Sequence, residues 1–338
     1  MLRLAFWSGL SFFVERKRKM FVPAMLFVLG LLLLIKGGDW FVDGATGIAQ
    51  RFGVPELLIG ATVVSIGTTL PEVMVSVTSA LGGHGELAYG NAIGSIICNT
   101  SLIAAITVAV KPSKVEKKSF LTPVVFFFVA AAIYLFVAYS SGEFTRLVGL
   151  ELLGIFLVYM TVLVRQALRA PRDFEKEEAP AGSLGKDLGL LTVGAVLIAF
   201  GANLLVENGT LIAQAMGVPE SVIGLTFVAL GTSLPELVTA VTSLVKGHGA
   251  LSLGNIIGAN LFNLVLVSGL SVTLAPFSIP AEKTVAGYNA SLVVDLPLMV
   301  LVMGLLTLPA LIRGKLSRSQ GFLLLAIYAG FCLFQFFL

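Results

Sequence analysis

The chain has 338 residues, of which 57% are hydrophobic and 12% charged, with a formal net charge of +3; its mean hydropathy is +0.98. That composition excludes a soluble domain, whose surface needs far more polar residues. The apolar runs are continuous rather than alternating, which excludes a transmembrane β-barrel and predicts an all-α polytopic membrane protein.

The first 21 residues form a leader, "RLAFWSGLSFFVERKRKM" with its flanks. Its apolar part, residues 4–14, is too short to span a bilayer and resembles a signal sequence or an interfacial helix. If the start is over-extended, Met20 is the first residue. Ten spans are then predicted: 22–42, 54–81, 87–110, 119–140, 145–168, 187–214, 219–245, 250–273, 285–309 and 319–337. The one long polar segment, residues 169–186, is rich in charge, Pro and Gly and reads as a solvated linker. It separates two five-span halves, 22–168 and 187–338. Cys98 and Cys332 lie in apolar runs and read as small buried residues.

The halves are repeats. "AQRFGVPELLIGATVVSIGTTLPEVMVSVTSALGGHGELAYGNAIGS", from Ala49, aligns without a gap with "AQAMGVPESVIGLTFVALGTSLPELVTAVTSLVKGHGALSLGNIIGA", from Ala213. The duplicated segments span 54–110 and 218–274. Five spans separate equivalent positions, so the copies cross the membrane in opposite directions. With residue 22 starting outside, the inner loops carry fourteen Lys and Arg and the outer loops two. The positive-inside rule therefore places the linker in the cytoplasm and both termini outside. The basic leader, with Arg16, Lys17, Arg18 and Lys19, runs against that count.

Within each copy a glutamate follows a proline deep in an apolar run: "GTTLPE" ends at Glu72 and "GTSLPE" at Glu236. A charge at this depth costs at least about 2.5–3.5 kcal/mol and persists only with partners or a task. Pro71 and Pro235 break helical hydrogen bonds, which frees backbone carbonyls near Ser65 and Ala229. Thr68, Thr69, Thr232 and Ser233 add hydroxyls. The next span of each half, "GNAIGSIICN" and "GNIIGANLFN", supplies Ser95, Asn99 and Asn263, while Gly90, Gly94, Gly254 and Gly258 read as packing residues. Carboxylate, hydroxyl, amide and carbonyl oxygens without thiolate or imidazole suit Ca²⁺ and Na⁺ rather than zinc or copper.

These paired motifs resemble the two α-repeats of the sodium/calcium exchanger family, within the cation/Ca²⁺ antiporters, and most of all its prokaryotic ten-helix members. The resemblance covers the chain from about residue 22. It implies ten transmembrane helices as two inverted repeats, and Ca²⁺/Na⁺ antiport across the cell membrane. The mechanism it implies is alternating access at a midplane site, with the first and sixth spans moving across spans 2, 3, 7 and 8. By position it implies Glu72 and Glu236 as the ion-binding carboxylates, with hydroxyls from Thr68, Thr69, Ser95, Thr232 and Ser233. It further implies carbonyls from Ser65 and Ala229 and a central amide at Asn99. Asn263 stands where well-studied members have an aspartate, and Ala259 where they have a serine. No cofactor, nucleic acid or second subunit is implied; the partners are the ions and the lipid bilayer.

A proton-coupled Ca²⁺ exchanger is the alternative, with the same carboxylates carrying H⁺, although the Thr-Leu-Pro before Glu72 departs from the amide-rich motif of proton-coupled relatives. A cation channel is a third reading, which an occluded two-glutamate site disfavours. No HExxH, nucleophile motif or Gly-rich phosphate loop points to an enzyme. Other polar residues read more simply. His84 and His248 fall in short loops, Asp43 and Glu207 near span ends. Lys36 and Asp39 are placed to pair one helical turn apart. Phe126 to Phe128 read as lipid-facing bulk, and Asp295 as either a packing contact or a pathway residue.

Overall fold

The computed structural model describes residues 2–112, 114–169, 183–215, 229–281 and 283–337. Among them ten helices follow in order: α1 (Leu2–Phe52), α2 (Glu56–Leu81), α3 (Gly85–Val110), α4 (Lys117–Ser140), α5 (Arg146–Arg169), α6 (Leu184–Ala215), α7 (Leu234–Val245), α8 (Gly249–Leu274), α9 (Ser291–Arg313) and α10 (Arg318–Phe337). A single turn, Ala229–Thr232, precedes α7. The first part of the seventh predicted span, and the linker from 170 to 182, lie outside the described residues.

Three boundaries differ from expectation. The leader and first span are one helix, α1, which continues through Pro23 and runs ten residues past the predicted end at 42. A proline removes one helical hydrogen bond, and the apolar helix formers after it rebuild the ladder. Helix α6 begins at Leu184, inside the expected linker. Helix α9 starts at Ser291 rather than 285, because Thr284–Val285 (β3) and Tyr288–Asn289 (β4) form a hairpin first. Its turn uses positive φ at Ala286 and Gly287, which matches the twist of the two strands. A second small ribbon pairs Glu143–Phe144 (β1) with Phe277–Ser278 (β2), tying the α4–α5 and α8–α9 connections together.

The inverted repeat is visible in the packing. Helices α1 and α6 lie antiparallel with their backbones touching at glycines. A Cβ built on Gly30 would stand 2.8 Å from the Gly201 carbonyl, and one on Gly194 would stand 2.8 Å from the Gly37 carbonyl. Gly30 is the repeat equivalent of Gly194, and Gly37 of Gly201. The repeat therefore turns the first contact into the second, as a two-fold axis requires. The chain is an all-α polytopic protein of two inverted five-helix repeats.

At the centre sit α3 and α8, with 78% and 83% of their apolar windows buried, against 22% for α1 and α6. Gly254 and Gly258 press α8 onto the backbone of α2 at Leu57 and Ala61. Gly90 and Gly94 differ from that reading: among the described residues nothing lies within 4 Å of a Cβ built there. Phe127 is also not lipid-facing; it is fully buried, while Phe126 and Phe128 are half-buried. One face of α4 packs inward, so three consecutive aromatics cannot share an environment.

Candidate ion site at the crossing of four helices

Helix α2 starts after Pro55, makes a π-helical turn at Gly60–Val64 and continues through Pro71. The break expected at the proline is thus displaced upstream by the wider turn. Residue 71 leaves the Gly67 carbonyl without its N–H partner. In the second half the backbone does break, at Ser233, with Pro235 starting the helix that carries Glu236. Gly67 and Gly231 make room for the neighbouring α1 and α6: a Cβ on Gly67 would meet the Phe41 ring at 3.1 Å, and one on Gly231 would meet Val206 at 2.5 Å. Helical spacing puts Ser65, Thr68, Thr69, Glu72 and Ser76 on one face of α2, and all are buried.

Asn99 and Asn263 each open a π-helical turn, Asn99–Ala104 in α3 and Asn263–Val267 in α8. Such turns insert an extra residue, re-aim side chains, and cluster at functional sites. The carbonyls they loosen are re-used. Ser65 Oγ donates to Gly60 O at 2.8 Å, Ser268 Oγ to Asn263 O at 3.1 Å, and the Tyr159 hydroxyl to Ala61 O at 3.0 Å.

Both glutamates are completely buried. The two motif helices meet at this point, where Thr69 Oγ1 donates to Glu236 Oε1 at 3.5 Å. Thr68 stands beside the same carboxylate. Both Glu72 oxygens and Glu236 Oε2 have no hydrogen-bond partner among the described residues. The same holds for Ser233 Oγ and for both amide atoms of Asn99 and of Asn263. Ser95 is buried and Thr232 half-buried, and no side-chain hydrogen bond joins either to the rest among the described residues. Ala229 opens the short turn before α7.

Two residues at this crossing escaped the motif reading. Asn255 Oδ1 accepts from Thr68 Oγ1 at 3.1 Å, and the Asn255 backbone carbonyl lies 2.9 Å from Ser65 Oγ, so α8 holds the hydroxyl face of α2. Asn91 Nδ2 donates to Glu72 O at 3.2 Å and to Ser76 Oγ at 2.8 Å. Both are the Asn of a Gly-Asn pair at equivalent repeat positions, which was the available signal. Two other expectations change. Lys36 lies over the Trp40 ring, 5.3 Å from its centre, while Asp39 and Asp43 meet Lys246 at 3.4 and 2.7 Å. His248 is more than a loop residue: its Nδ1 lies 2.7 Å from Glu56 Oε1, joining the two halves.

Ten helices in inverted repeats, eight of them among the described residues long and apolar enough to cross a membrane, with buried carboxylates on α2 and α7, define a secondary transporter rather than an enzyme. The profile of the sodium/calcium exchanger protein family matches residues 22–165 and 186–337. The chain belongs to that family of cation antiporters. It is 34% identical to the putative antiporter CaxA of Alkalimonas amylolytica, over 92% of this chain and 98% of that one. It is 30% identical to the sodium/calcium exchanger MaX1 of Methanosarcina acetivorans, over 94% and 99%. Among solved structures, the sodium-calcium exchanger NCX_Mj soaked with 2.5 mM Na⁺ and 10 mM Sr²⁺ superposes with a TM-score of 0.77 at 32% identity, covering 92% of this chain and 97% of that one.

Proposed function

We propose that this protein exchanges Ca²⁺ for Na⁺ by alternating access at the Glu72–Glu236 site. One observation carries the reading: two fully buried carboxylates, on helices joined by the Thr69–Glu236 hydrogen bond, have no Lys or Arg paired to either among the described residues. Like charges in a low-dielectric interior cost several kcal/mol each unless cations or protons compensate them. The oxygens of Thr68, Thr69, Ser95, Ser233, Asn99 and Asn263 surround that pair in character, with carbonyls at Ser65 and Ala229 and the Thr232 hydroxyl at the rim. Hard cations take such a set. The linker is assigned to the cytoplasm and both termini to the outside by the basic loops. Helices α1 and α6, bound to each other through glycine contacts, form the unit that moves across the site.

The test is ⁴⁵Ca²⁺ uptake into proteoliposomes under an imposed Na⁺ gradient, with an H⁺ gradient as the second arm. Uptake that follows Na⁺ supports the reading; uptake driven by H⁺ alone replaces it with proton coupling. Two carboxylates are balanced by one Ca²⁺ or by two Na⁺, and Asn263 adds no charge. Exchange is therefore expected to be electroneutral. A reversal point that moves with membrane potential, clamped by K⁺ and valinomycin, rules that stoichiometry out.

A further inference from the structure

Buried hydroxyls in this protein mostly fold back on their own helix. Thr46 donates to Val42 O at 2.9 Å, Thr100 to Ile96 O at 2.8 Å and Thr307 to Met303 O at 2.6 Å. That is the usual resting place of Ser and Thr inside a helix. Thr239 and Ser243 on α7 and Ser252 on α8 are exceptions. They are 0%, 0% and 2% exposed, and their hydroxyls have no hydrogen-bond partner among the described residues.

The three stand in one line. Glu236, Thr239 and Ser243 are spaced by three and four residues, which keeps them on one face of α7. That face is not the one against α1, which Val238 and Thr242 occupy at Gly38. Helices α7 and α8 form a tight antiparallel hairpin, closed by His248 N donating to Ser243 O at 2.7 Å. Counting back from the turn places Ser252 at the depth of Ser243, and Asn255 at the depth of Thr239. The Asn255 Nδ2 atom is likewise unpartnered. At the far end of the line, Lys246 holds Asp39 and Asp43, and His248 holds Glu56.

We infer that Thr239, Ser243 and Ser252 line the passage by which cations travel between the glutamate site and the membrane face that carries Lys246. The inference rests on the exchange reading above. Each turn of α7 raises the next oxygen by about 4.5–6 Å, roughly twice a Ca²⁺–oxygen distance of about 2.3–2.6 Å. A cation between two successive hydroxyls thus touches both, and exchanges ligands stepwise instead of losing them. The first half has no such line: Val75, Ser79 and Ala88 occupy the equivalent positions. The passage is a property of one side of the membrane.

The experiment compares wild type with a triple variant, Thr239→Val, Ser243→Ala, Ser252→Ala, and with a hydroxyl-keeping one, Thr239→Ser, Ser243→Thr, Ser252→Thr. Equilibrium ⁴⁵Ca²⁺ binding to purified protein and Na⁺-driven ⁴⁵Ca²⁺ flux in proteoliposomes are both measured. The expected result is a flux loss of about tenfold or more in the first variant, with binding changed less than about threefold, and near-normal flux in the second. Flux within about twofold of wild type in the first variant overturns the passage. So does equal loss in both variants, which marks a packing role, or a loss of binding that matches the loss of flux. Wild-type protein that neither binds nor moves Ca²⁺ overturns the exchange reading itself, a result distinct from all of these.

Discussion

The α2–α3 and α7–α8 hairpins carry the same motif, with Glu72 and Glu236 at equivalent positions, yet the structure uses their flanking polar residues differently. In the first hairpin the amide is satisfied within the hairpin: Asn91 bridges the Glu72 carbonyl and Ser76. In the second, Asn255 reaches across to the other half and takes Ser65 and Thr68. Position 240, equivalent to Ser76, is alanine, so Asn255 lacks the hydroxyl that Asn91 uses. Duplication thus supplied two identical carboxylates, while divergence at a few neutral positions made the surroundings unequal.

If the two carboxylates are equivalent, Glu72→Gln and Glu236→Gln should be equally damaging. Each removes a charge that a bound cation must have, worth about 3–5 kcal/mol for a buried pair. Na⁺-driven Ca²⁺ flux is expected to fall by at least about a hundredfold in both. A folded variant of either that transports at the wild-type rate would break the equivalence and the site with it. The next largest effect tests the symmetric seam. Gly37→Leu or Gly201→Leu drives a side chain into the opposing backbone, where overpacking costs about 1–3 kcal/mol or more. The two should lower the thermal unfolding midpoint in detergent alike. Gly90→Ala, which meets no described atom, should leave it unchanged.

Asn255→Ala against Asn91→Ala sharpens the contrast between hairpins. Losing the Asn255 amide strips the buried Thr68 hydroxyl of its acceptor beside the site, at about 1–3 kcal/mol. Calcium affinity, measured by equilibrium binding, should drop about tenfold. Losing Asn91 frees a carbonyl and a half-shared hydroxyl, both on α2, and should cost less. Equal losses would mean that the hairpins are interchangeable after all.

Much of this was legible before any coordinates. Apolar run length placed seven of the ten helices within about three residues at both ends, because a bilayer imposes both length and helical hydrogen bonding on a span. The repeat located Glu72 and Glu236, since a buried charge is costly enough to stand out in a sequence. The π-helical turns at Gly60, Asn99 and Asn263 were not legible, because an extra residue in one turn leaves no compositional trace. Nor was the partner of Asp39. Lys36 is near in sequence, but Lys246 is nearer in space, and only the packing of α1 on α7 brings it there. The roles of Asn91 and Asn255 depended likewise on which helix faces which, although their repetition in both copies was in plain view.

The smallest expected effect concerns the ion pairs at Lys246. This residue caps α7 and holds Asp43 and Asp39 of α1, so it ties α1 to the helix that carries Glu236. At the equivalent position the first half has Gly82, opposite Asn203 and Glu207 in place of Asp39 and Asp43. The Asp43 side chain is 51% exposed, and partly exposed pairs are worth about 0–1 kcal/mol. Lys246→Met should therefore favour opening on the Lys246 face by at most about fivefold. It should be read as a lower half-saturating Ca²⁺ concentration on that face, with maximal flux little changed. The mirror change, Gly82→Lys, starts from φ −76°, where a lysine is unstrained. It puts an ammonium within the repeat-equivalent reach of Glu207 and should shift the opposite way. Lys246→Met with Gly82→Lys then moves the tie from one face to the other and reverses the asymmetry. Unchanged half-saturation in all three variants would show that this pair decorates the surface and that the difference between the halves lies deeper, in the hydroxyls and amides around the carboxylates.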